Sequence, residues 1–271
     1  MSRERILIGG APGTGKTFDW LTIARALPKS TFHVIDPDDG TARVWKGKNK
    51  SGEPEFPTVN NLNYYFTPTW KGDLKPCSHM GEVIGQVGGI KNAFKEIQKK
   101  CKPDDWVVVE MLSNIWSMLQ GEFVDQVFDQ DIGDYFLEVR KHTAKNANKL
   151  EALSGWMDWN VINKMHNGDL IVPICYNLPC HVIATTSVSV QQKADPKEDA
   201  EIRAFYGDTL IRFEGQKQNP FRMQSMFLKK RIKDKFIINT FVKDRGREWL
   251  DNVELFDFAL QYLGPIAGWE L

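Results

Sequence analysis

The sequence predicts an α/β protein: a mainly parallel central sheet flanked by helices, with antiparallel strands toward the C-terminus. Three observations predict it. A phosphate-binding loop pattern, Gly10-Ala11-Pro12-Gly13-Thr14-Gly15-Lys16-Thr17, stands between a strand-like run (Arg5 to Ile8) and a helical run (Phe18 to Leu27). Two further β-branched runs, 106–109 and 181–187, end in polar residues. The last third changes style, with 209–213, 221–230 and 236–242 reading as short strands at hairpin spacing.

Composition bounds the function classes. The 271 residues are 42% hydrophobic and 26% charged, ordinary for a globular chain with material for a core. Lys plus Arg number 35 and Asp plus Glu number 35, so bulk charge does not coat nucleic acid, although local patches remain open. There is no apolar run approaching about 18 residues and no export signal, which predicts a cytoplasmic protein without a membrane partner. Cys77, Cys101, Cys175 and Cys180 lack paired spacing. Cys77-Ser78-His79 offers two adjacent metal donors, against the plainer reading of free thiols. Neither repeats nor a Gly/Ser linker divide the chain, so it reads as a single domain over 1–271 with an insertion at about 111–170.

In the phosphate loop, glycines let consecutive N–H groups curl toward phosphate oxygens, and the following helix adds its positive end. Lys16 is placed to reach the β/γ-phosphates of a nucleoside triphosphate and the Thr17 hydroxyl to ligate Mg²⁺. The second strand, 31–35, ends in Asp36-Pro37-Asp38-Asp39-Gly40, three carboxylates at the strand edge where α/β sheets bind ligands. A plain Pro-Asp-Gly turn is the alternative. Asn63 to Thr67 reads as a strand. Gly81 to Lys102 carries Ile84, Val87, Ile90, Phe94 and Ile97 at helical spacing, an amphipathic helix over the sheet.

Trp106 to Glu110 has the form of the strand whose terminal acid holds the Mg²⁺ water shell. Glu110 stands where Asp is usual, and a simple strand end is the alternative. Within the insertion, 140–149 has a local charge of +4, read either as a solvated face or a phosphate-backbone contact. Trp156 to Met165 opens a further helix. Thr185 and Thr186, at the tip of the next strand, are candidates to sense the γ-phosphate, against ordinary strand propensity for threonine. Residues 191–201 read as a charged loop, 229–235 as a +4 stretch, and 255–263 as a closing helix.

Taken in order, the phosphate loop, Ile35-Asp36-Pro37-Asp38, Trp106 to Glu110, Val182 to Thr186 and Lys243-Asp244-Arg245-Gly246 resemble a RecA-like P-loop ATPase core. The chain is similar in particular to single-domain RecA-like ATPases of bacteriophages, some of which support single-strand annealing or recombination. The resemblance implies ATP and Mg²⁺ as cofactors, with Asp38 polarising the attacking water and Glu110 supporting the metal. It implies Lys243 and Arg245 as fingers that reach a neighbouring subunit's site, hence a homo-oligomer, ring or filament. It also implies single-stranded DNA as partner, through loops near 140–149 and 188–203. Glu110, the threonine sensors and the large 111–170 segment depart from the family pattern. Two rivals stay open: an assembly, packaging or helicase-loader ATPase, and a nucleoside or small-molecule kinase. The single arginine between 44 and 202, Arg140, counts against a kinase lid.

Overall fold

The computed structural model describes residues 3–48, 50–53, 55–146, 153, 157–190, 211–232, 235–245, 247, 253–255, 257 and 259–269. The chain opens with β1 (Arg5–Gly10), α1 (Lys16–Ala26), β2 (Phe32–Asp36) and the short α2 (Gly40–Trp45). β3 (Leu62–Thr69), β4 (Lys75–His79) and β5 (Glu82–Gly89) precede α3 (Ile90–Lys100) and β6 (Trp106–Val109). Three helices follow, α4 (Leu112–Phe128), α5 (Ile132–Asn146) and α6 (Asp158–His166), with π-helical turns at Asn167–Ile171 and Pro173–Asn177. Then come β7 (His181–Thr186), β8 (Val188–Val190), β9 (Ile211–Phe213), α7 (Asn219–Arg222), β10 (Ser225–Ile232) and β11 (Lys235–Asp244). β12 (Glu254–Leu255) and a π-helical turn at Ala259–Leu263 close the described chain.

Ten strands form one sheet in the order β12-β11-β10-β1-β7-β6-β2-β3-β5-β4. From β10 to β5 all neighbours are parallel; β11 and β12 at one side and β4 at the other are antiparallel. β8 and β9 pair separately, antiparallel. The predicted architecture, a parallel sheet between helices with antiparallel C-terminal strands, is the one observed.

Parallel strands buried on both faces are rich in apolar residues, and most positions here are apolar, with His33, Asp36, Thr185 and Thr186 among the buried polar exceptions. Ile6 and Ile8 of β1 and Val108 of β6 join Trp20, Leu21 and Ile23 of α1 in one core. Leu7, Val107 and Val109 point the other way, into a core with Phe94 of α3 and Ile115 and Leu119 of α4. The period of two along each strand therefore feeds two helix layers. The segment after Glu110 is not peripheral: Leu112, Ile115, Leu119 and Phe123 of α4 are all buried against the sheet. Trp116 of α4 stacks on Trp159 of α6 with centroids 6.0 Å apart, tying the next helices to it.

One element differs from the sequence expectation. Residues 82–89 form β5 rather than the first turns of a helix, and only Ile90–Lys100 is helical. The cause lies in the glycines. A Cβ on Gly85 would stand 2.1 Å from the Tyr64 carbonyl oxygen, so the close approach of β5 to β3 requires glycine there. The expected closing helix is also reduced, to β12 and the turn at Ala259–Leu263.

Candidate functional site

β1, β2, β6 and β7 run parallel and end along the same edge, so the residues that follow them meet in one cleft. The cleft has a volume of ≈ 480 Å³ and is lined by Gly13, Gly15, Lys16 and Thr17 from the loop and by Asp38, Glu110 and Ser187 from neighbouring strand tips.

The loop itself is shaped by glycine and by threonine. A Cβ on Gly10 would lie 2.6 Å from Thr14 Oγ1 and 2.9 Å from the Lys229 carbonyl oxygen, so the crowded exit from β1 admits no side chain. Gly15 takes φ 83°, a left-handed conformation that turns the chain into α1. The Thr14 hydroxyl donates to the Ala11 carbonyl at 2.8 Å and closes the bend. Gly15 supplies no side-chain cap, so the first N–H groups of α1 are left for an anion.

Lys16 is buried at 7% exposure, and its Nζ donates to the carbonyl oxygens of Gly10 at 2.8 Å and Ala11 at 3.1 Å. Burial lowers its pKa, while the Glu110 and Asp38 carboxylates oppose that shift. The ammonium thus sits between two acids that arrive from different strands.

Glu110 is the centre of the arrangement. The Thr17 hydroxyl donates to Oε1 at 2.9 Å and the Trp20 indole Nε1–H donates to Oε2 at 2.8 Å. Thr17 and Trp20 lie three residues apart in α1 and share a helix face, so one turn of α1 grips both carboxylate oxygens. Burial raises the Glu110 pKa, and the Trp20 and Thr17 donors counter it. Its main chain stays in the sheet, its N–H donating to the Ile35 carbonyl at 2.9 Å.

The three acids at the end of β2 and just beyond it have separated roles. Asp36 is fully buried: it accepts from the Asp38 N–H at 3.1 Å, the Thr41 N–H at 2.8 Å and the Tyr64 hydroxyl at 3.2 Å. Burial pushes its pKa up to about 7. Asp39, with φ 58°, accepts the Tyr64 hydroxyl at 2.6 Å. Only Asp38 faces the cleft, its Oδ1 taking the Gly40 N–H at 3.0 Å and its Oδ2 the Asn114 amide at 2.7 Å.

Thr185 is fully buried on β7, beside β1. The Thr186 hydroxyl donates to the Glu214 carbonyl at 2.8 Å, so its bond goes to the main chain entering from β9. Lys243 and Arg245 are not part of the cleft in one chain. Lys243 pairs with Met226 and Asp244 with Ser225, and Ser225 is level with Ile6, at the start of β1. From Ile6 to Gly10, where the loop starts, is four residue steps along β1, roughly 13 Å at the usual rise. Arg245 is exposed, and its Nη2 donates to the Phe221 carbonyl at 3.0 Å. Of the two stretches expected to meet DNA, 140–146 lies on α5 and 188–190 on β8; 147–149 and 191–203 lie outside the described residues.

Sequence reasoning missed Trp20 and Asn114. The first carried a signal, its spacing from Thr17 on the same helix face. The second sits in the first turn of α4 and meets Asp38 only through the fold.

No protein-family model matches the chain, and no curated protein is similar to it in sequence. Among solved structures it is similar to the RadB recombinase. That likeness has 9% sequence identity and a TM-score of 0.42, over 93% of this chain and 86% of that one. It is a weak likeness and carries no weight beside the geometry of the cleft.

Proposed function

We propose that this chain binds a nucleoside triphosphate with Mg²⁺ and hydrolyses its terminal phosphate, as a RecA-like ATPase, of the kind carried by bacteriophages, acting on DNA. One observation carries the reading: the Glu110 carboxylate is held against the Thr17 hydroxyl at the mouth of a phosphate loop. That pair offers a hydroxyl and carboxylate oxygens, the hard donors Mg²⁺ takes. Thr17 and Glu110 would hold Mg²⁺ there, and the ion would supply positive charge against the charge that develops on the phosphate.

The chain's own groups do the rest. Main-chain N–H groups of residues 13–17 receive phosphate oxygens. Lys16 has three donors, two of them on loop carbonyls, which leaves one for a phosphate oxygen. Asp38, held by Asn114 and the Gly40 N–H, orients a water toward the terminal phosphorus. Its carboxylate has free lone pairs on both oxygens for that purpose. Lys243 and Arg245 lie at the far end of the sheet from their own loop, so a role in hydrolysis requires them to come from a second copy.

The decisive experiment measures ATP hydrolysis with and without single-stranded DNA across a salt series. Stimulation that falls steeply as salt rises is expected, since backbone binding releases counterions. Arg245→Ala should retain ATP binding and lose hydrolysis; mixed with Lys16→Ala chains, activity should partly return. Normal hydrolysis by Arg245→Ala alone rules out the finger in trans. Hydrolysis indifferent to DNA but raised by a protein partner selects the assembly ATPase instead.

A further inference from the structure

The edge of the sheet away from the phosphate loop carries a second group of reactive side chains that ATP hydrolysis does not use. His33 on β2, Cys101 at the end of α3 and Asp105 just before β6 each offer one donor atom, and these atoms lie within 4.8 Å of one another. The imidazole is the telling member. His33 is 1% exposed, yet its Nε2 has no hydrogen-bond partner; Asp105 Oδ2 stands 3.5 Å away without the geometry of a bond. A buried polar nitrogen left unpaired costs about 1–3 kcal/mol, so something normally satisfies it.

The other donors are already aimed. Asp105 Oδ1 accepts the Thr31 N–H at 3.0 Å and Oδ2 the Lys102 N–H at 2.8 Å, which fixes the carboxylate and leaves each oxygen a second lone pair. His33 Nδ1 lies 3.3 Å from Asn63 Nδ2. A cation at Nε2 requires that amide to turn over, so that its oxygen accepts an Nδ1 proton and the Nε2 lone pair is free, the arrangement that supports metal-bound histidines.

Cys101 is partly exposed, which gives an ion a way in, and Cys180, just before β7, is buried. The two thiols lie within hydrogen-bonding reach of each other. The set is therefore imidazole, carboxylate and two sulfurs, a mixture that suits zinc rather than magnesium.

We propose that His33, Cys101 and Asp105, with Cys180 as fourth donor, bind one zinc-class divalent cation that staples β2, β6, β7 and the end of α3. Bond lengths of about 2.0–2.3 Å set tetrahedral donors roughly 3.3–3.8 Å apart, so His33, Cys101 and Asp105 need to draw in by about 1 Å, and Cys180, outside their 4.8 Å group, by more. Each thiol releases its proton to solvent as its sulfur binds. The site is a structural one, at the opposite end of the strands from the triphosphate.

The test uses the full chain, reduced, stripped by a chelator and held in excess Mg²⁺ so that the Thr17–Glu110 site does not compete. Co²⁺ is titrated and then displaced by Zn²⁺. The expected result is about one Co²⁺ per chain with thiolate-to-cobalt charge-transfer absorption, which a site without cysteine cannot give. Cys101→Ser and His33→Gln should each weaken Co²⁺ binding by at least about 100-fold. Cys77→Ser should leave binding unchanged. Thermal unfolding checks that the variants fold, and Cys101→Ser alters a partly exposed position at a helix end. Absence of charge-transfer absorption in the unaltered chain, or undiminished Co²⁺ affinity in a folded His33→Gln, overturns the assignment.

Discussion

Along the edge where β1, β2 and β6 end, Lys16, Asp38 and Glu110 line an open cleft, each held by two hydrogen bonds. Along the edge where β1 begins, polar groups close on one another. There Arg247 donates to Asp244 at 2.7 Å and to Glu4 at 3.3 Å, and the Tyr262 hydroxyl lies 2.7 Å from Ser225 Oγ. Glu4, Ser225, Asp244 and Tyr262 are all nearly inaccessible. The difference teaches what each edge is for. An edge that spends its hydrogen bonds internally stabilises; an edge that leaves lone pairs and N–H groups pointing outward is built to receive a ligand.

Substitutions at the two edges should therefore separate turnover from stability. The largest effect belongs to Lys16→Ala, which should lower ATP turnover by on the order of 10³-fold while moving the thermal midpoint little. A steady-state phosphate-release assay paired with a thermal melt reads both. Arg247→Met should do the reverse. It leaves Glu4 and Asp244 buried without their cation, at roughly 3 kcal/mol by denaturant titration, with ATP binding per folded molecule retained. Equal damage to stability from both variants would erase the contrast.

Glu110→Gln comes next. Its amide can still accept from the Trp20 N–H and donate to the Thr17 hydroxyl, but it loses the charge, so turnover should fall by about 10²-fold. Because burial raises the Glu110 pKa, the charged form burdens the fold at neutral pH, and the thermal midpoint of Glu110→Gln there should not drop. The smallest effect concerns Asp36. Its folded pKa of about 7 lies above the ordinary value of 3.8, so the stability it contributes is complete below that value and is lost as pH climbs toward 7. Asp36→Asn should flatten that part of the thermal-midpoint profile between pH 4 and 7. It should also cost about 1–3 kcal/mol at the acid end, where one backbone N–H loses its acceptor.

The legible parts of the molecule were those in which a short stretch dictates its own geometry. Gly10 to Thr17 announces a loop because crowding at Gly10 and the left-handed turn at Gly15 are consequences of residue type. Runs such as Trp106 to Val109 can only be strands with both faces covered. Where the sequence misled, an apolar spacing ran across a boundary. Ile84, Val87, Ile90, Phe94 and Ile97 keep a helical period although the first two lie in β5. The glycines at 85, 88 and 89 were the contrary signal, since glycine is a poor helix former. Contacts made by tertiary packing left no trace to read. Asn114 and Asp38 are 76 positions apart. Likewise Cys77 and His79 drew attention as sequence neighbours, yet among the described residues the group with metal-ligand spacing is His33, Cys101 and Asp105.

The grip of Thr17 and Trp20 on Glu110 has a kinetic meaning. A carboxylate fastened at both oxygens to a helix, with its main chain laddered into a sheet, has no freedom left to surrender when an ion arrives. On the proposed reading, the platform offered to a cation is rigid in advance, and any slow movement accompanying turnover originates in other segments, with this corner as the fixed point against which they work.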